Sequence, residues 1–402
     1  MRVFQLNTFC GIKSTGRITT DIALLLEQQG DQCIIGYGAE SVPDAYKRFA
    51  YRIGNPLERK IHGAIRKFFD GEGYGSIAGT LRLIKEIERF QPNVIHLHNL
   101  HGCYLHLGIL FRFLQKAEIP LVWTLHDCWS FTGHCAYFNY IDCEKWKTEC
   151  HHCTQLRSYP VCLGIDGSCR NQRRKKKLVH GLKSVTLVPP CHWLAKYIPD
   201  SILREYPIRV ICNGVDREVF RPVDPKNLRE KHKISAKYLV LAVAADWDER
   251  KGMKYLLEAA SKLSDDYQIA ILGLLPEQMA GLPHNVLGLQ ATGNVEELAQ
   301  WYSAADCLAN PTMEDNMPLV NLEALACGTP VAVFRTGGCV EAVDDTCGIV
   351  APQGDSAALA QAIQQLAPQK QTLSDACVKR SELFDSKQCY REYLALYKEL
   401  CK

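Results

Sequence analysis

The sequence predicts an α/β protein built from two Rossmann-like domains, and three observations support this fold class. The chain has 402 residues, which is too long for one ordinary hydrophobic core. Apolar runs bounded by turn residues alternate with helical patterns throughout, which is typical of parallel sheets covered by helices. The alternation restarts after Ile208–Pro222, a segment rich in turn residues. We therefore expect two domains with a cleft between them.

The first set of elements predicts an N-terminal domain over residues 1–212. Its expected strands are Arg2–Asn7, Gln32–Tyr37, Val94–His98, Leu121–His126 and Ser184–Val188. Its expected helices carry apolar residues at a spacing of three and four, and they are Ile18–Gln29, Ser76–Phe90 and Leu105–Ala117. A cysteine-rich run at 133–169 lies outside this pattern, and we interpret it as an insertion.

The second set predicts a C-terminal domain over residues 223–384. Its expected strands are Tyr238–Ala244, Tyr267–Leu272, Cys307–Asn310, Pro330–Phe334 and Gly348–Ala351. Residues 213–222, which begin with an Asn-Gly turn, form the expected connection between the domains. We expect the last residues, 385–402, to form a helix that packs back on the N-terminal domain.

Composition indicates a soluble globular protein, because 47% of the residues are hydrophobic and 23% are charged. The net charge of +3 is too small to indicate a nucleic-acid partner. The N-terminus begins as a strand without a signal-peptide pattern, and no apolar run approaches the roughly 18 residues of a spanning helix. We therefore expect a cytoplasmic protein, whose 19 cysteines are mostly reduced and buried.

The most informative segment is PTMEDNMPLVNLEALACGTPVAV, from Pro311 to Val333. Pro318 suits the first turn of a helix that continues over Leu319–Ala326, and Gly328 suits its end. Free amides at a helix start that follows a strand suit a diphosphate. The residues expected to bind such a nucleotide ligand at the helix start are Asn316, Met317, Pro318 and Leu319.

Two carboxylates flank this helix start. Asp315 precedes the helix and Glu323 lies within it, so one acid can meet a sugar while the other accepts hydrogen bonds from ribose hydroxyls. The segment resembles the paired-acid motif of family 4 retaining glycosyltransferases of the GT-B fold, whose two Rossmann-like domains face each other across a cleft. In that pattern two Glu residues are separated by seven positions, and here Asp315 stands where the first Glu is expected. The resemblance implies a catalytic role for Asp315.

The segment DWDERKG, residues 246–252, extends the resemblance. Departure of a diphosphate from a sugar develops negative charge that Lys or Arg stabilises. The family places an Arg where this chain has Asp246, so we expect Arg250 and Lys251 to bind the donor and Lys251 to be catalytic. Further family-like residues in this half are Asn213 to Asp216, Glu297, Leu298, Tyr302, Ala305, Asp306, Gly337, Gly338 and Glu341.

In the first domain, CGIKSTGRI lies between a strand and a helix, where the family has a glycine-rich loop bordering donor and acceptor. This similarity places Gly16 beside the donor and Ser14 and Thr15 on the acceptor side; a plain tight turn is the alternative.

Histidine side chains follow two strands of this domain. His126 matches a family His beside the donor sugar, which implies that it binds a sugar hydroxyl and orients the reacting centre. We expect Asp127 to fix its loop or to contact the acceptor. His98 is assigned to the acceptor side or to a structural role. The resemblance implies no cofactor for catalysis.

The cysteine cluster in GHCAYFNYIDCEKWKTECHHC contains Cys135, Cys143, Cys150 and Cys153. Four thiolates suffice for a closed tetrahedral zinc site, and the last pair has the two-residue gap of zinc knuckles. His151, His152, Cys162 and Cys169 are possible substitutes. Reduced thiols without a metal are the alternative, and a disulfide is disfavoured in a reducing compartment. A similar run occurs in colanic-acid-like bacterial polysaccharide glycosyltransferases, which sharpens the resemblance.

The segment Asn55–Phe69, NPLERKIHGAIRKFF, has one apolar and one basic face at helical spacing. That pattern suits docking on an anionic membrane surface near a lipid-linked acceptor, and packing on its own domain is the alternative. The basic run RRKKK at 173–177 would add attraction or form a solvated helix face.

Together with these observations, the family resemblance implies retaining transfer of a hexose from a UDP-type or GDP-type sugar to a glycan acceptor that is lipid-linked. The expected setting is exopolysaccharide, capsule or O-antigen synthesis, by an enzyme that contacts the inner face of the cytoplasmic membrane peripherally. Two alternatives remain at this point. One is a nucleotide-sugar epimerase of related fold, and the other is a non-catalytic nucleotide-sugar-binding subunit, which Asp246 and Asp315 motivate.

Overall fold

The computed structural model describes residues 1–402, and the chain divides into two compact units. Unit 1 comprises Met1–Cys212 together with Cys389–Lys402. Unit 2 comprises Asn213–Gln388. None of the helices combines the length and the apolar composition that are needed to span a bilayer.

Unit 1 contains a six-stranded parallel sheet covered by helices. Its strands are β1 (Arg2–Asn7), β2 (Gln32–Tyr37), β3 (Ala50–Arg52), β4 (Val94–Leu97), β5 (Leu121–Thr124) and β6 (Val185–Val188). Its helices are α1 (Lys13–Gln28), α2 (Pro56–Phe69), α3 (Ile77–Phe90), α4 (Leu107–Leu114), α5 (Ser168–Val179) and α6 (His192–Ala195). The strand order is β3-β2-β1-β4-β5-β6. This order, with crossovers on both sides of β1, is that of a Rossmann-like sheet.

The C-terminal segment of the chain completes the core of unit 1. Three tyrosines of this segment, Tyr390, Tyr393 and Tyr397, are buried with the apolar residues of β1, α1 and β2. The Tyr397 hydroxyl lies 2.6 Å from Nδ1 of His96, and the Tyr393 hydroxyl lies 2.9 Å from Oγ1 of Thr124. These polar pairs allow His96 and Thr124 to lie buried in the sheet without an unsatisfied hydrogen-bonding group.

Unit 2 repeats the same plan. Its helices are α7 (Leu228–Lys231), α8 (Met253–Ala260), α9 (Val295–Ala304), α10 (Leu319–Ala326), α11 (Ser356–Leu366) and α12 (Lys370–Ser381), and the last helix of the chain is α13 (Ser386–Leu400). Its strands are β7 (Tyr238–Val243), β8 (Tyr267–Leu272), β9 (Val286–Leu289), β10 (Cys307–Asn310), β11 (Val331–Phe334) and β12 (Gly348–Ala351). All pair in parallel in the order β12-β11-β10-β7-β8-β9. The loops after β7 and β10 are therefore neighbours at the carboxyl edge, where ligands bind in open α/β sheets.

Two edge strands, β3 and β9, are absent from the sequence-based prediction. Both are short, and β9 contains a glycine, so their local patterns are weak. Helix α1 begins at Lys13, five residues before its predicted start, because the chain turns into the helix directly after Gly11, whose φ is +74°. Pro318 precedes the first residue of α10 in extended conformation and is not its first turn.

Candidate functional site

In unit 2, the predicted donor-binding cations meet the first acid of the paired-acid segment. Nζ of Lys251 lies 2.6 Å from Oδ2 of Asp315. The guanidinium of Arg250 donates to the carbonyl of Glu314 at 2.7 Å and lies 3.7 Å from the same Asp315 oxygen. The structure thus brings together three of the residues selected from sequence. Asp246, by contrast, is exposed.

Two glycines allow the loops to approach this closely. Gly252 has φ +74°, and a Cβ there would lie 2.0 Å from the carbonyl oxygen of Pro311. Gly337 has φ +53°, and a Cβ there would lie 1.8 Å from the carbonyl oxygen of Asp315. The amide of Gly338 donates to that same carbonyl at 3.0 Å. Any side chain at either glycine would push the backbone away from the Asp315 loop.

The charge state of Asp315 follows from its neighbours. Burial opposes ionisation of the carboxyl, but Lys251 and Arg250 outweigh burial and lower the pKa of Asp315 below its usual value. Its second oxygen, Oδ1, accepts the backbone N–H of Asn316 at 2.9 Å. Asp315 is therefore a carboxylate at neutral pH, and it partly neutralises the two cations.

The start of α10 has the features that suit an anion. Its N-cap residue, Pro318, has no side-chain hydrogen bond to the first-turn amides. The turn before it is fixed, because Nδ2 of Asn213 donates to the carbonyl of Met317 at 3.0 Å. Asn316, Met317 and Pro318 are buried, and Leu319 is partly exposed. The amides of this first turn are the predicted partners of a diphosphate.

Glu323 lies inside α10, where it is 3% exposed. Its Oε2 accepts a hydrogen bond of 2.9 Å from the hydroxyl of Tyr302 in α9. Tyr302 is itself buried, and its backbone carbonyl accepts from Oγ1 of Thr329. The carboxylate is thus positioned by a second helix. Its binding of ribose stays a prediction.

In unit 1, a hydrogen-bonded chain links Gln5, His98 and His126, and it determines the tautomer of His126. Nε2 of Gln5 donates to the carbonyl of Thr19 at 2.9 Å, so its Oε1 faces Nε2 of His98 at 3.0 Å. His98 must therefore carry its proton on Nε2 and accept at Nδ1. Nδ1 of His98 lies 3.0 Å from Nε2 of His126, which must then be the donor. Nδ1 of His126 consequently carries a lone pair.

All members of this chain are neutral near pH 7. Burial lowers the pKa of His98 well below its usual value, and the neighbouring His96 and His126 act in the same direction. Burial also lowers the pKa of His126 to about 4, against a smaller opposing effect of Asp127. His98 is 1% exposed and uses both ring nitrogens. The prediction that His98 contacts the acceptor is therefore wrong, because the side chain is buried and hydrogen-bonds to Gln5 and His126.

Asp127 fixes its loop through both carboxylate oxygens. Oδ1 accepts the backbone N–H of Trp129 at 2.9 Å, and Oδ2 lies 2.7 Å from Nε2 of His101. Nδ1 of His101 lies 2.7 Å from the hydroxyl of Tyr159, a residue of the cysteine-rich insertion. Of the two roles predicted for Asp127, the structure supports loop positioning. Tyr159 was not selected from sequence, since no motif marks it.

The glycine-rich loop has a packing reason for one glycine. A Cβ at Gly16 would lie 3.0 Å from Cβ of Phe9, and the residue is buried. Gly16 thus allows α1 to pack on the loop. Ser14 is exposed, and Oγ1 of Thr15 lies 3.3 Å from Nδ2 of Asn7. The first turn of α1 has no side-chain cap, as at α10.

The cysteine-rich insertion gathers four thiols around one cavity. Cys135, Cys143, Cys150 and Cys153 all line it, with Trp146 and Phe138 among the other walls. The thiol of Cys135 hydrogen-bonds to Cys153, and the amide of Gly133 donates to Sγ of Cys150 at 3.2 Å. All four cysteines are free thiols.

The basic run at 173–177 is not uniformly solvated. Lys175 is 4% exposed, and its Nζ donates to the carbonyls of Trp129 and Thr132 at 2.5 and 3.1 Å. The ammonium also lies 3.4 Å from the centroid of the Trp129 ring. Burial lowers the pKa of Lys175 to about 7. This lysine anchors α5 to the loop after His126, and the other four cations of the run are exposed.

A separate trio of potential metal ligands lies buried in unit 1. The ligand atoms of His62, Glu72 and Cys103 are all within 4.8 Å of one another. Each is already used: His62 accepts from Gly73 N–H, and Glu72 accepts the amide and the thiol of Cys103. The trio is therefore a hydrogen-bonded support for the loop at 101–103.

The chain is similar to known glycosyltransferases in both of its halves. Residues 15–219, just over half of the chain, match the family model described as Glycosyltransferase Family 4. Residues 237–369 match the model described as Glycosyl transferases group 1. A relative in Escherichia coli (strain K12), named as the putative colanic acid biosynthesis glycosyl transferase WcaC, is 25% identical over the full length of both chains.

Solved structures agree on the fold. Sucrose-phosphate synthase from Thermosynechococcus elongatus aligns with a TM-score of 0.71 at 16% identity, covering 99% of this chain and 98% of that one. Anabaena HepE in complex with UDP-glucose aligns with a TM-score of 0.69 at 16% identity, covering 99% and 100%. With the family model, the two Rossmann-like units and the paired-acid segment in agreement, the chain belongs to glycosyltransferase family 4 and has the GT-B fold.

Proposed function

We propose that this glycosyltransferase moves a hexose from a nucleotide diphosphate sugar, of UDP or GDP type, to a lipid-linked glycan with retention of the anomeric configuration. The product serves exopolysaccharide, capsule or O-antigen synthesis. The observation that carries this proposal is the meeting of Lys251, Arg250 and Asp315 beside the uncapped start of α10. Similarity to WcaC supports the polysaccharide setting.

The charges of unit 2 suit a diphosphate leaving group. Lys251 and Arg250 supply two cations, and the first-turn amides of α10 supply further donors. The similar HepE structure holds UDP-glucose, which supports a sugar nucleotide as the donor. As the bond between the anomeric carbon and the phosphate oxygen breaks, negative charge grows on the diphosphate, and these groups stabilise it.

The proposed transfer needs no cofactor. The acceptor hydroxyl forms the new bond to the anomeric carbon on the face that the diphosphate leaves, and its proton passes to the departing phosphate oxygen. His126 is neutral near pH 7, and the proposal gives its ring a hydrogen bond to a sugar hydroxyl without added positive charge. This assigns His126 to orientation of the sugar ring.

A membrane-docking surface on unit 1 suits a lipid-linked acceptor. We define this surface by α2, α3 and the segment 163–165, which together expose eight large apolar side chains: Leu57, Ile61, Phe68, Phe69, Ile77, Leu81, Leu163 and Ile165. Segment 163–165 joins α2 through backbone bonds from Leu163 to Lys67 and from Ile165 to Phe68. Within α2 the one buried residue is His62, and Leu57, Ile61, Phe68 and Phe69 are each more than half exposed.

Charge complementarity favours an anionic bilayer as the partner of this surface. Four exposed cations lie on the elements that carry or adjoin the apolar side chains: Lys60 and Lys67 in α2, and Arg170 and Arg173 in α5. Arg170 is held there by a hydrogen bond to the carbonyl of Phe69. Apolar side chains that enter the interface while cations meet anionic headgroups are typical of peripheral membrane helices.

The test is a donor screen followed by product analysis. Purified full-length protein is titrated with UDP and GDP sugars by thermal shift, because a ligand of the folded state raises the apparent stability. The best donor is then incubated with undecaprenyl-linked glycan intermediates in vesicles. A new glycosidic product with the anomeric configuration of the donor supports the proposal. An inverted product contradicts retention, and an isomerised donor without transfer would identify an epimerase.

A further inference from the structure

We propose that Cys135, Cys143, Cys150 and Cys153 bind a structural zinc ion that holds the cysteine-rich insertion on unit 1. The proposal goes beyond glycosyl transfer and does not depend on the identity of donor or acceptor. The four thiols are spread over 19 positions of a loop, and all of them line one small cavity.

The surroundings of the sulfurs suit thiolate ligands. The backbone N–H of Gly133 donates to Sγ of Cys150, and the backbone N–H of Gln155 donates to Sγ of Cys153. Backbone donors of this kind stabilise negative charge on a ligand sulfur. Cys135 and Cys153 are already in hydrogen-bond contact. Four thiolates satisfy zinc completely in a closed tetrahedral site, which is the structural form of zinc coordination.

Two histidines and two further cysteines lie near the four thiols. His134 lines the cavity, its Nδ1 is bonded to the buried Asp70 at 2.6 Å, and its buried Nε2 has no hydrogen-bond partner, so it competes for a ligand position. Cys162 and Cys169 are absent from the cavity wall. His151 also lines the cavity and is exposed, so it is a second competitor for the fourth position. We assign the fourth position to Cys143 because it is the remaining thiol on the same wall.

Ion binding would tighten the cluster. Zinc–sulfur bonds of about 2.3 Å in a tetrahedron place the sulfurs roughly 3.8 Å apart. The Sγ atoms of the four cysteines do not all lie within 4.8 Å of one another, whereas the ligand atoms of the trio His62, Glu72 and Cys103 do. The four cysteines thus surround one cavity, and zinc binding would shorten the distances between their sulfurs.

The insertion needs such a link because it has little regular structure. Between Trp129 and Gly167 the chain forms no strand and two 3₁₀ helices of three residues each. Its links to α5 include Gln172, whose side chain bonds to the amide of Cys150 and to the carbonyl of Trp146, each at 2.6 Å. Tyr159 of this insertion hydrogen-bonds to His101, so the ion would also stabilise the loop beside His126.

Metal content and cobalt spectroscopy test the proposal on the wild-type protein. Full-length protein is purified without chelators, and zinc is measured by mass spectrometry. We expect one equivalent per chain, which a thiol-modifying mercurial releases. Protein reconstituted with Co²⁺ should show intense thiolate-to-cobalt charge-transfer bands and the visible bands of a tetrahedral site. Absence of zinc after zinc-replete expression, together with absence of the charge-transfer bands, overturns the proposal.

Variants identify the ligands. Cys135→Ser, Cys143→Ser, Cys150→Ser and Cys153→Ser should each lose most of the zinc, while Cys128→Ser, a buried cysteine outside the cavity wall, retains it. His134→Ala and His151→Ala should also retain it. If either histidine variant loses the ion and Cys143→Ser keeps it, the assignment of four cysteines is wrong. If a serine variant fails to fold, the Co²⁺ spectrum of His151→Ala still separates the two ligand sets. Unchanged charge-transfer bands support four cysteines, and weakened bands indicate that His151 is a ligand.

Discussion

Nζ of Lys251 and Oδ2 of Asp315 lie 2.6 Å apart, although the residues are 64 positions apart in the chain. They come from the loops after β7 and β10, which are adjacent strands. The ammonium is therefore paired with a carboxylate. In the proposed transfer, the diphosphate competes with Asp315 for this cation, so Asp315 should influence both the donor sugar and the binding of the nucleotide.

Removal of the carboxylate charge should separate these two effects. We expect Asp315→Asn to bind UDP or GDP several-fold more tightly, because Lys251 is released from its partner, and to turn over more slowly. Calorimetric titration with the nucleotide alone measures the first effect, and initial rates with the full donor measure the second. Weaker nucleotide binding by Asp315→Asn would show that the acid does not compete for the cation. Asp315→Glu keeps the charge and should retain wild-type nucleotide affinity.

Loss of the cation should affect turnover most. Lys251→Ala removes the cation that we propose stabilises the leaving diphosphate, and we expect kcat to fall by about 10²–10³-fold. Lys254→Ala is the matched control, since Lys254 is exposed in the first turn of α8 and pairs with Glu258 at 3.9 Å. An equal loss of kcat in both variants would contradict a specific role for Lys251.

The Tyr302–Glu323 pair predicts graded losses of donor affinity. Glu323→Gln removes the carboxylate that is expected to accept ribose hydroxyls, so we expect a loss of about tenfold or more in nucleotide affinity. Tyr302→Phe removes one positioning hydrogen bond of 2.9 Å and should cost less. The affinities are measured with the nucleoside diphosphate, which carries the ribose but no sugar donor group. A larger loss for Tyr302→Phe than for Glu323→Gln would contradict this order.

The buried histidines predict an acid-sensitive fold. The pKa of His126 is about 4 in the folded protein, against an ordinary value of 6.5, so the unfolded chain binds more protons between these values. Stability is therefore present above about pH 6.5 and is lost as the pH falls toward 4. We expect His126 alone to cost about 2 kcal/mol of unfolding free energy between about pH 7 and about pH 5. Urea unfolding at both values measures it.

The matched variant for this measurement is His126→Gln, which has no titrating ring. Its unfolding free energy should depend less on pH than that of the wild type by the same amount. An unchanged pH dependence would mean that His126 does not titrate with a lowered pKa.

The tautomer of His126 can be tested directly. Long-range ¹⁵N correlation spectra should show a protonated Nε2 and an unprotonated Nδ1 in the wild type. His98→Asn offers an amide oxygen at the place of the accepting nitrogen and should preserve this tautomer and much of the activity. His98→Leu removes the nitrogen that accepts the hydrogen bond from His126. It should lower kcat by a larger factor than the factor by which KM changes. A wild-type spectrum with the proton on Nδ1 would exclude the hydrogen-bond direction derived from Gln5.

The membrane-docking surface predicts binding to anionic vesicles. Phe68→Ser combined with Phe69→Ser removes two half-exposed rings and should lower the vesicle partition coefficient at least about tenfold. Leu275→Ser is the control, because Leu275 is 54% exposed in unit 2, outside this surface. Co-sedimentation at low and high salt measures both contributions. Equal partitioning of the double variant and the wild type would contradict docking through α2.

Much of the fold could be predicted from local patterns. The strands β1, β2, β8, β10 and β12 have the predicted bounds, because each is an apolar run with turn residues at both ends. The edge strands β3 and β9 could not be predicted in this way, since their pairing depends on a neighbouring strand and their own patterns are weak. The paired-acid segment was equally visible, because a helix start, two acids and a stop signal lie within 23 positions.

The fold class could be predicted from the alternating apolar patterns along the chain, and the candidates Asp315, Glu323 and Lys251 followed from the resemblance to the family's motifs. Three relationships became visible in the folded chain: Lys251 pairs with Asp315, His98 hydrogen-bonds to His126, and Lys175 is buried within a basic run. Burial and hydrogen-bond direction depend on neighbours that the sheets bring together, and these neighbours are distant in sequence. Gln5 lies 93 positions from His98, and no local pattern indicates that its amide sets the direction of the histidine protons.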